Sequence, residues 1–261
     1  MRPRCVSFRR RLCAGPALAL LALSLCAPAA FAAPAPCQAV THEGSSYTVC
    51  EVDLRRHAVK LFWRKADGEP YGYLAALPSL LGGRAGQKLL FATNAGMYHP
   101  DYRPVGLYVE NGRELAHANT KAGPGNFHMR PNGVFYVAGE TAGVLETGSF
   151  LRPRRPADFA TQSGPMLVIN GRLHPRFARS GGSRKFRSGV GLRDENTLAF
   201  AISDGEVSFG EFARLFRDRL KCDNALFLDG GSVPSLYAPD LRRTGNLLPL
   251  GPMVAVYERA K

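Results

Sequence analysis

Apolar residues along this chain fall into short runs and alternations, each stopped within a few positions by Gly, Pro, Asn or Asp. Such spacing predicts strands joined by tight turns rather than long helices. Tyr47–Leu54 and Val59–Trp63 read as strands, with Arg55-Arg56-His57 between them. Leu89–Ala92 is another, running straight into Thr93-Asn94-Ala95-Gly96-Met97. Gly106–Glu110 turns through Asn111-Gly112 into Arg113-Glu-Leu115, and Pro165–Ile169 turns through Asn170-Gly171 into Arg172-Leu173. Asn-Gly supplies the left-handed backbone that a two-residue hairpin needs, so both are predicted hairpins. Gly133–Val137, Ser188–Leu192, Thr197–Ile202 and Val254–Tyr257 complete the predicted strands.

Helical periodicity is clear in one place. Ser208-Phe-Gly-Glu211 has the form of a capping box, and Phe209, Phe212, Phe216 and Leu220 follow at spacings of three and four. That helix is expected to end near Lys221 and deliver the chain to a buried strand, Ala225–Leu228. Gly72–Leu81 could hold a short helix interrupted by Pro78, and Gly82-Gly83-Arg-Ala-Gly86-Gln-Lys88 reads as a plain turn. Many short strands with few helices predict an α+β single domain built on mostly antiparallel or mixed sheets.

The first 32 residues change the picture of compartment. Five arginines precede an apolar run from about Leu12 to Leu25, and Ala30-Phe31-Ala32 fits a small-residue cleavage signal. Residues 1–32 are therefore expected to be a signal peptide, and residues 33–261 a mature periplasmic or secreted chain. The run is too short for a confident span, so no stable membrane segment is expected after cleavage. Five of the 34 basic residues leave with the leader and none of the 21 acidic ones, so the excess falls from +13 to +8. The basic residues are scattered without an aromatic-interleaved stripe, which argues against nucleic acid and leaves anionic glycans as partners. Cys37 and Cys50 flank a turn-rich segment and are the favoured disulfide in an exported chain, leaving Cys222 as a small buried hydrophobe. His99, His117, His128 and His174 follow no metal-ligand spacing, and neither a metal nor another cofactor is indicated. No Gly-x-Ser-x-Gly elbow surrounds Ser163 or Ser232.

Candidate chemistry gathers where polar and small residues follow strands. Asp229 ends the buried strand beside Gly230-Gly231, a carboxylate on a rigid element where a ligand can approach the backbone. Asn94-Ala-Gly96-Met, Gln162-Ser163-Gly164-Pro-Met-Leu, Arg187-Ser-Gly-Val-Gly-Leu and Asn224-Ala-Leu-Phe-Leu-Asp229-Gly-Gly-Ser232 occur in this order. Together they resemble the phosphodiester glycosidase family over roughly Leu89 to Tyr257, and its exported bacterial branch most. The resemblance implies hydrolysis of a sugar-1-phosphodiester. It points to Asn94, Ser163, Arg187 and Asp229 with Gly230-Gly231. Asp229 and Arg187 are the expected catalytic residues. Asn94, Gly96, Gln162, Ser163, Gly164, Gly230, Gly231 and Ser232 are the expected substrate contacts, with turn stabilisation the alternative for Asn94, Gln162 and Ser163. One departure stands out: Gly230-Gly231-Ser232-Val233-Pro234 replaces the family's more usual Gly-Gly-Gly-Ser or Gly-Gly-Ser-Ser. Pro234 removes one backbone donor there.

The residue types suit that chemistry. Arg187 can grip a phosphodiester through paired charge-assisted bonds, or can serve as a structural ion-pair residue. Asp229 can act as general base, as nucleophile, or as a charge facing an oxocarbenium ion. Asp204, at the end of another predicted strand, is the second carboxylate to test, and Glu110 a third candidate that also reads as a hairpin residue. The alternative function is a non-catalytic envelope glycan-binding protein with the same fold.

Overall fold

A computed structural model describes residues 36–81, 88–153, 155–177 and 182–259. The expected signal peptide and most of the Gly82–Lys88 turn lie outside the described residues. The described chain builds three antiparallel sheets. The first has seven strands, in the order Cys37–His42, Ser45–Asp53, Thr197–Ser203, Arg187–Asp194, Asn224–Gly230, Met166–Ile169 and Arg172–Leu173. A second, of five strands, runs Arg243–Thr244, Leu236–Ala238, Leu89–Asn94, Met253–Glu258 and His57–Phe62. The third, also of five, runs Arg113–Ala116, Tyr108–Glu110, Phe159–Ser163, Gly133–Ala138 and Thr141–Glu146. Helices are few and short, as the alternating pattern requires, and the fold is a mostly antiparallel single domain.

Both Asn-Gly hairpins form, with Asn111 and Asn170 at φ 52° and 48° and their glycines each at 74°. The turn at Arg55-Arg56 carries the chain from the first sheet to the second. Pro78 does not interrupt its helix: it stands second in Leu77–Leu81, where its missing N–H has no helical partner to lose. Cys37 and Cys50 are cross-strand partners joined by a disulfide.

Asn224–Gly230 lies inside the first sheet and is buried on both faces. Leu226 and Leu228 join Val190, Leu198 and Val254 in one core, while Ala225 and Phe227 join Phe212, Phe216 and Leu167 in another. Full burial of each large side chain is worth about 1.5–3 kcal/mol, which fixes this strand as a rigid mount. The capping box is complete: Ser208 Oγ accepts from Glu211 N at 3.2 Å, and Glu211 Oε2 accepts from Ser208 N at 2.8 Å. The helix it starts runs only over Phe209–Arg214 before widening into a π turn at Leu215–Arg219.

Candidate active site

Arg187–Asp194 and Asn224–Gly230 pair so that Arg187 faces Gly230 and Ser188 faces Asp229. Two expected catalytic residues thus meet at one end of one strand pair. They line a cavity of about 130 Å³ with Asn126, Ser183, Lys185, Phe209, Gly230 and Gly231. A roomier cavity of about 350 Å³, between Leu107, Phe150 and Ala157, contains neither Arg187 nor Asp229. Chemistry rather than volume marks the site.

Asp229 retains some solvent exposure, yet its carboxyl is closely surrounded. That desolvation pushes its pKa up to about 7, opposed by the Gly230 N–H that donates to Oδ1 at 2.7 Å. Near neutral pH the group therefore exchanges its proton readily, as an acid–base catalyst must. Burial pushes the neighbouring Tyr98 hydroxyl up to about 12, with the Asp229 charge adding to the shift, so Tyr98 keeps its proton.

Arg187 is 2 % exposed. Its Nε donates to Val207 O at 2.9 Å and an Nη to Ser183 O at 2.7 Å, and its guanidinium lies 3.6 Å above the Phe209 ring. Burial lowers its pKa to about 10, which leaves it charged at neutral pH. Among the described residues no carboxylate lies within ion-pair distance of it. A guanidinium has five N–H donors, and the two carbonyls occupy only two, so the others remain for a ligand. A buried cation held only by carbonyls and a ring favours an incoming anion. The ion-pair alternative for Arg187 finds no partner among the described residues.

The glycines serve approach. Gly231 stands at φ 72° and donates to Phe186 O at 3.0 Å, and a Cβ at Gly230 would lie 3.0 Å from that same oxygen.

Several other expected residues are engaged elsewhere. Asn94 is fully enclosed: Nδ2 donates to Ser188 Oγ at 2.9 Å, Oδ1 accepts from Ser235 N at 3.3 Å, and Ser188 Oγ donates to Asp229 O at 3.2 Å. Ser163 is enclosed too, donating to Leu228 O at 2.7 Å. Both brace the Asp229 strand from behind. Gln162 Oε1 accepts from Leu107 N and Asn119 N, and Nε2 donates to Asn119 O, so this side chain anchors a loop. Gly96 and Gly164 are packing glycines, since a Cβ would lie 2.5 Å from Gln162 O and 2.6 Å from Asn132 Cβ, respectively. Ser232 is exposed and does not line the cavity. Asp204 lines a separate cavity, where it accepts from Thr48 at 3.0 Å and pairs with Arg243 at 2.5 Å. Glu110 accepts from Tyr108 Oη at 2.8 Å within its hairpin.

Asn126, Ser183, Lys185, Phe209 and Tyr98 were not singled out as site residues by the sequence. Asn126 had one legible signal, its place in the polar-glycine cluster Gly125-Asn126-Phe127. Phe209 reads as part of the helix's apolar stripe, but it sits one residue past the cap and turns its ring to Arg187.

Among the described residues, His42, Glu43 and Asp218 are close enough together to hold a metal, yet Glu43 pairs with Arg214 and Asp218 with Arg217. No helix among those residues is long and apolar enough to cross a membrane.

Comparison with known proteins places these features in a family. The profile of the phosphodiester glycosidase family matches residues 87–257. The uncharacterized protein YigE of Escherichia coli (strain K12) is 38% identical over 179 residues, covering 69% of each chain. The fold resembles the catalytic domain of zebrafish N-acetylglucosamine-1-phosphodiester alpha-N-acetylglucosaminidase, auto-inhibited by its pro-peptide. That match has a TM-score of 0.60 and 15% identity, over 85% of this chain and 82% of that one. A Burkholderia pseudomallei K96243 protein described provisionally as exported matches with a TM-score of 0.54 and 13% identity, over 81% and 74%.

Proposed function

We propose that this chain, which belongs to the phosphodiester glycosidase family, is an exported hydrolase that cleaves a sugar-1-phosphodiester in an envelope or extracellular glycan. One observation carries the reading: a carboxyl poised near pH 7 and an arginine with no carboxylate partner among the described residues line a single cavity. Export is supported by the basic-apolar leader and by the description of the Burkholderia relative.

In this mechanism the phosphodiester sits against Arg187, whose remaining N–H groups and the Lys185 ammonium oppose the charge that builds on the leaving phosphate. Ionised Asp229 takes a proton from a water that attacks the anomeric carbon. The C1–O bond breaks, the water oxygen stays on the sugar, and the phosphate leaves as a monoester. A phosphate is already a good leaving group, so a second carboxylate is not needed to protonate it. That fits a cavity whose lining includes one carboxylate, whereas ordinary glycosidases use two. The second reading, a glycan-binding protein without turnover, is motivated instead by Pro234, which leaves the loop after Asp229 one backbone donor short.

Incubation with a panel of sugar-1-phosphodiesters, including a GlcNAc-1-phosphodiester, separates them. Hydrolysis predicts released sugar from wild type and none from Asp229→Asn. Binding by both proteins with no product from either supports the binding reading.

A further inference from the structure

We propose that the protein has a second anion subsite, lined by His128, Arg130 and Arg176 and joined to the Asp229 cavity at Asn126. Its ligand is the next negatively charged group of a glycan that carries repeated anions. This rests on the hydrolase reading and narrows its substrate from an isolated sugar-1-phosphodiester to an oligomer.

The subsite is a cavity of about 500 Å³. Asn126 lines both this cavity and the one holding Asp229, so the two are neighbours on a shared wall. One buried imidazole ties its two arginine-bearing segments together. His174 Nδ1 accepts from Arg176 N at 3.2 Å, which places the proton on Nε2, and Nε2 then donates to Arg130 O at 3.0 Å. Burial lowers the His174 pKa, so the ring remains neutral and keeps this donor–acceptor pattern. The Arg130 guanidinium donates to Thr120 O, which holds it over the loop from Asn119. Nδ1 of His128 lies 3.0 Å from Lys121 O, and a Cβ at Gly123 would come within 2.7 Å of its ring. The loop therefore packs closely against the imidazole and forms one wall of the cavity.

Charge points the same way. From Ala116 to Gly139 the chain has Lys121 and Arg130 but neither Asp nor Glu. From Phe159 to Arg193 it has seven basic residues and again no acidic one. These two stretches supply every residue lining the subsite and, with Phe209 and the Asp229 loop, the catalytic cavity. Among the described residues, Arg130, Arg176 and Lys185 have no carboxylate within ion-pair distance. The result is a positive field beside the catalytic cavity, able to draw in and align a chain of anions.

Calorimetry with two synthetic probes tests this. One carries a single sugar-1-phosphodiester, the other two such units in series. Both are titrated at low and high salt into mature Asp229→Asn protein, which is expected to bind them without cleavage. The two-unit probe is expected to bind at least tenfold tighter at low salt, with that advantage shrinking at high salt. Arg130→Gln/Arg176→Gln should bring the affinity ratio of the probes close to one. Arg176→Gln alone, which spares the Thr120 contact, should lower it part of the way. Equal affinity for the two probes in Asp229→Asn, or an unchanged ratio when the arginine changes are added to it with the fold intact, would overturn the subsite. A third probe, with a uronate in place of the outer phosphodiester, tells whether the subsite takes any oxyanion or phosphate alone. Binding is read without turnover, so a protein that never cleaves the single-unit probe defeats the hydrolase reading and leaves this comparison decisive.

Discussion

At neutral pH, Asp229 is held against its own ionisation, and that has a measurable cost. Its folded pKa of about 7 stands above the ordinary value of 3.8, so the folded protein retains a proton that the unfolded chain has lost. The stability this confers is complete below about pH 4 and is lost as pH rises to about 7. Asn does not titrate, so Asp229→Asn should be more stable than wild type at pH 8, by about 4 kcal/mol at most, with the gain vanishing near pH 4. Chemical denaturation at both pH values measures it, and a variant no more stable at pH 8 would refute the strained carboxyl. For Arg187→Lys the charge survives, but the bonds to Val207 O and Ser183 O and the planar stack on Phe209 do not. A fall in kcat/KM of about a hundredfold is expected, together with a lower melting temperature. Near-wild-type turnover, assayed well below that temperature, would remove Arg187 from the phosphate site. Sequence motifs brought out Asp229, Arg187 and the two glycines because those residues owe their place to a strand end. They did not separate residues facing the cavity from those bracing it: Asn94 and Ser163 occupy the same kind of strand-end position and are as buried as Arg187, but of the three only Arg187 lines the cavity.

Among the elements, the capping box links local sequence to the site most directly. Ser208 fixes where the helix begins, and Phe209, the next residue, forms the surface beneath the Arg187 guanidinium. Ser208→Ala should cost about 1 kcal/mol. A domain of this size would then melt roughly 2–4 °C lower, measurable by calorimetry. An unchanged melting temperature would mean that the cap does not limit stability. The Asn-Gly hairpins and the buried Asp229 strand were legible because turn chemistry and a two-faced apolar run are local signals. Cys37–His42, Thr141–Glu146 and Phe159–Ser163 were not read as strands. Their sequences alternate weakly: Cys37–His42 and Thr141–Glu146 are edge strands, each paired only with its hairpin neighbour, while Phe159–Ser163 is held by pairing between the more distant Tyr108–Glu110 and Gly133–Ala138. The π turn after Arg214 also left no local mark, since the Phe212, Phe216 and Leu220 stripe continues through it.

Across the whole molecule, segments distant in sequence meet around one cavity, with Asn126, Lys185 and Asp229 coming from three of them. The fold class was legible from the density of short strands and turns, while the sheet order was not, because Ser45–Asp53 and His57–Phe62 are adjacent in sequence and belong to different sheets. If ionised Asp229 is the base, kcat/KM should rise about tenfold per pH unit below about 7 and level off above it. A flat profile between pH 5 and 8 would exclude a titrating base of that pKa. The most direct test is hydrolysis of a GlcNAc-1-phosphodiester in ¹⁸O-water, with both products analysed by mass spectrometry. Attack at the anomeric carbon predicts the label in the released sugar and none in the phosphate, with no product from Asp229→Asn. Label in the phosphate would contradict this account, as would label-bearing product from Asp229→Asn at the wild-type rate.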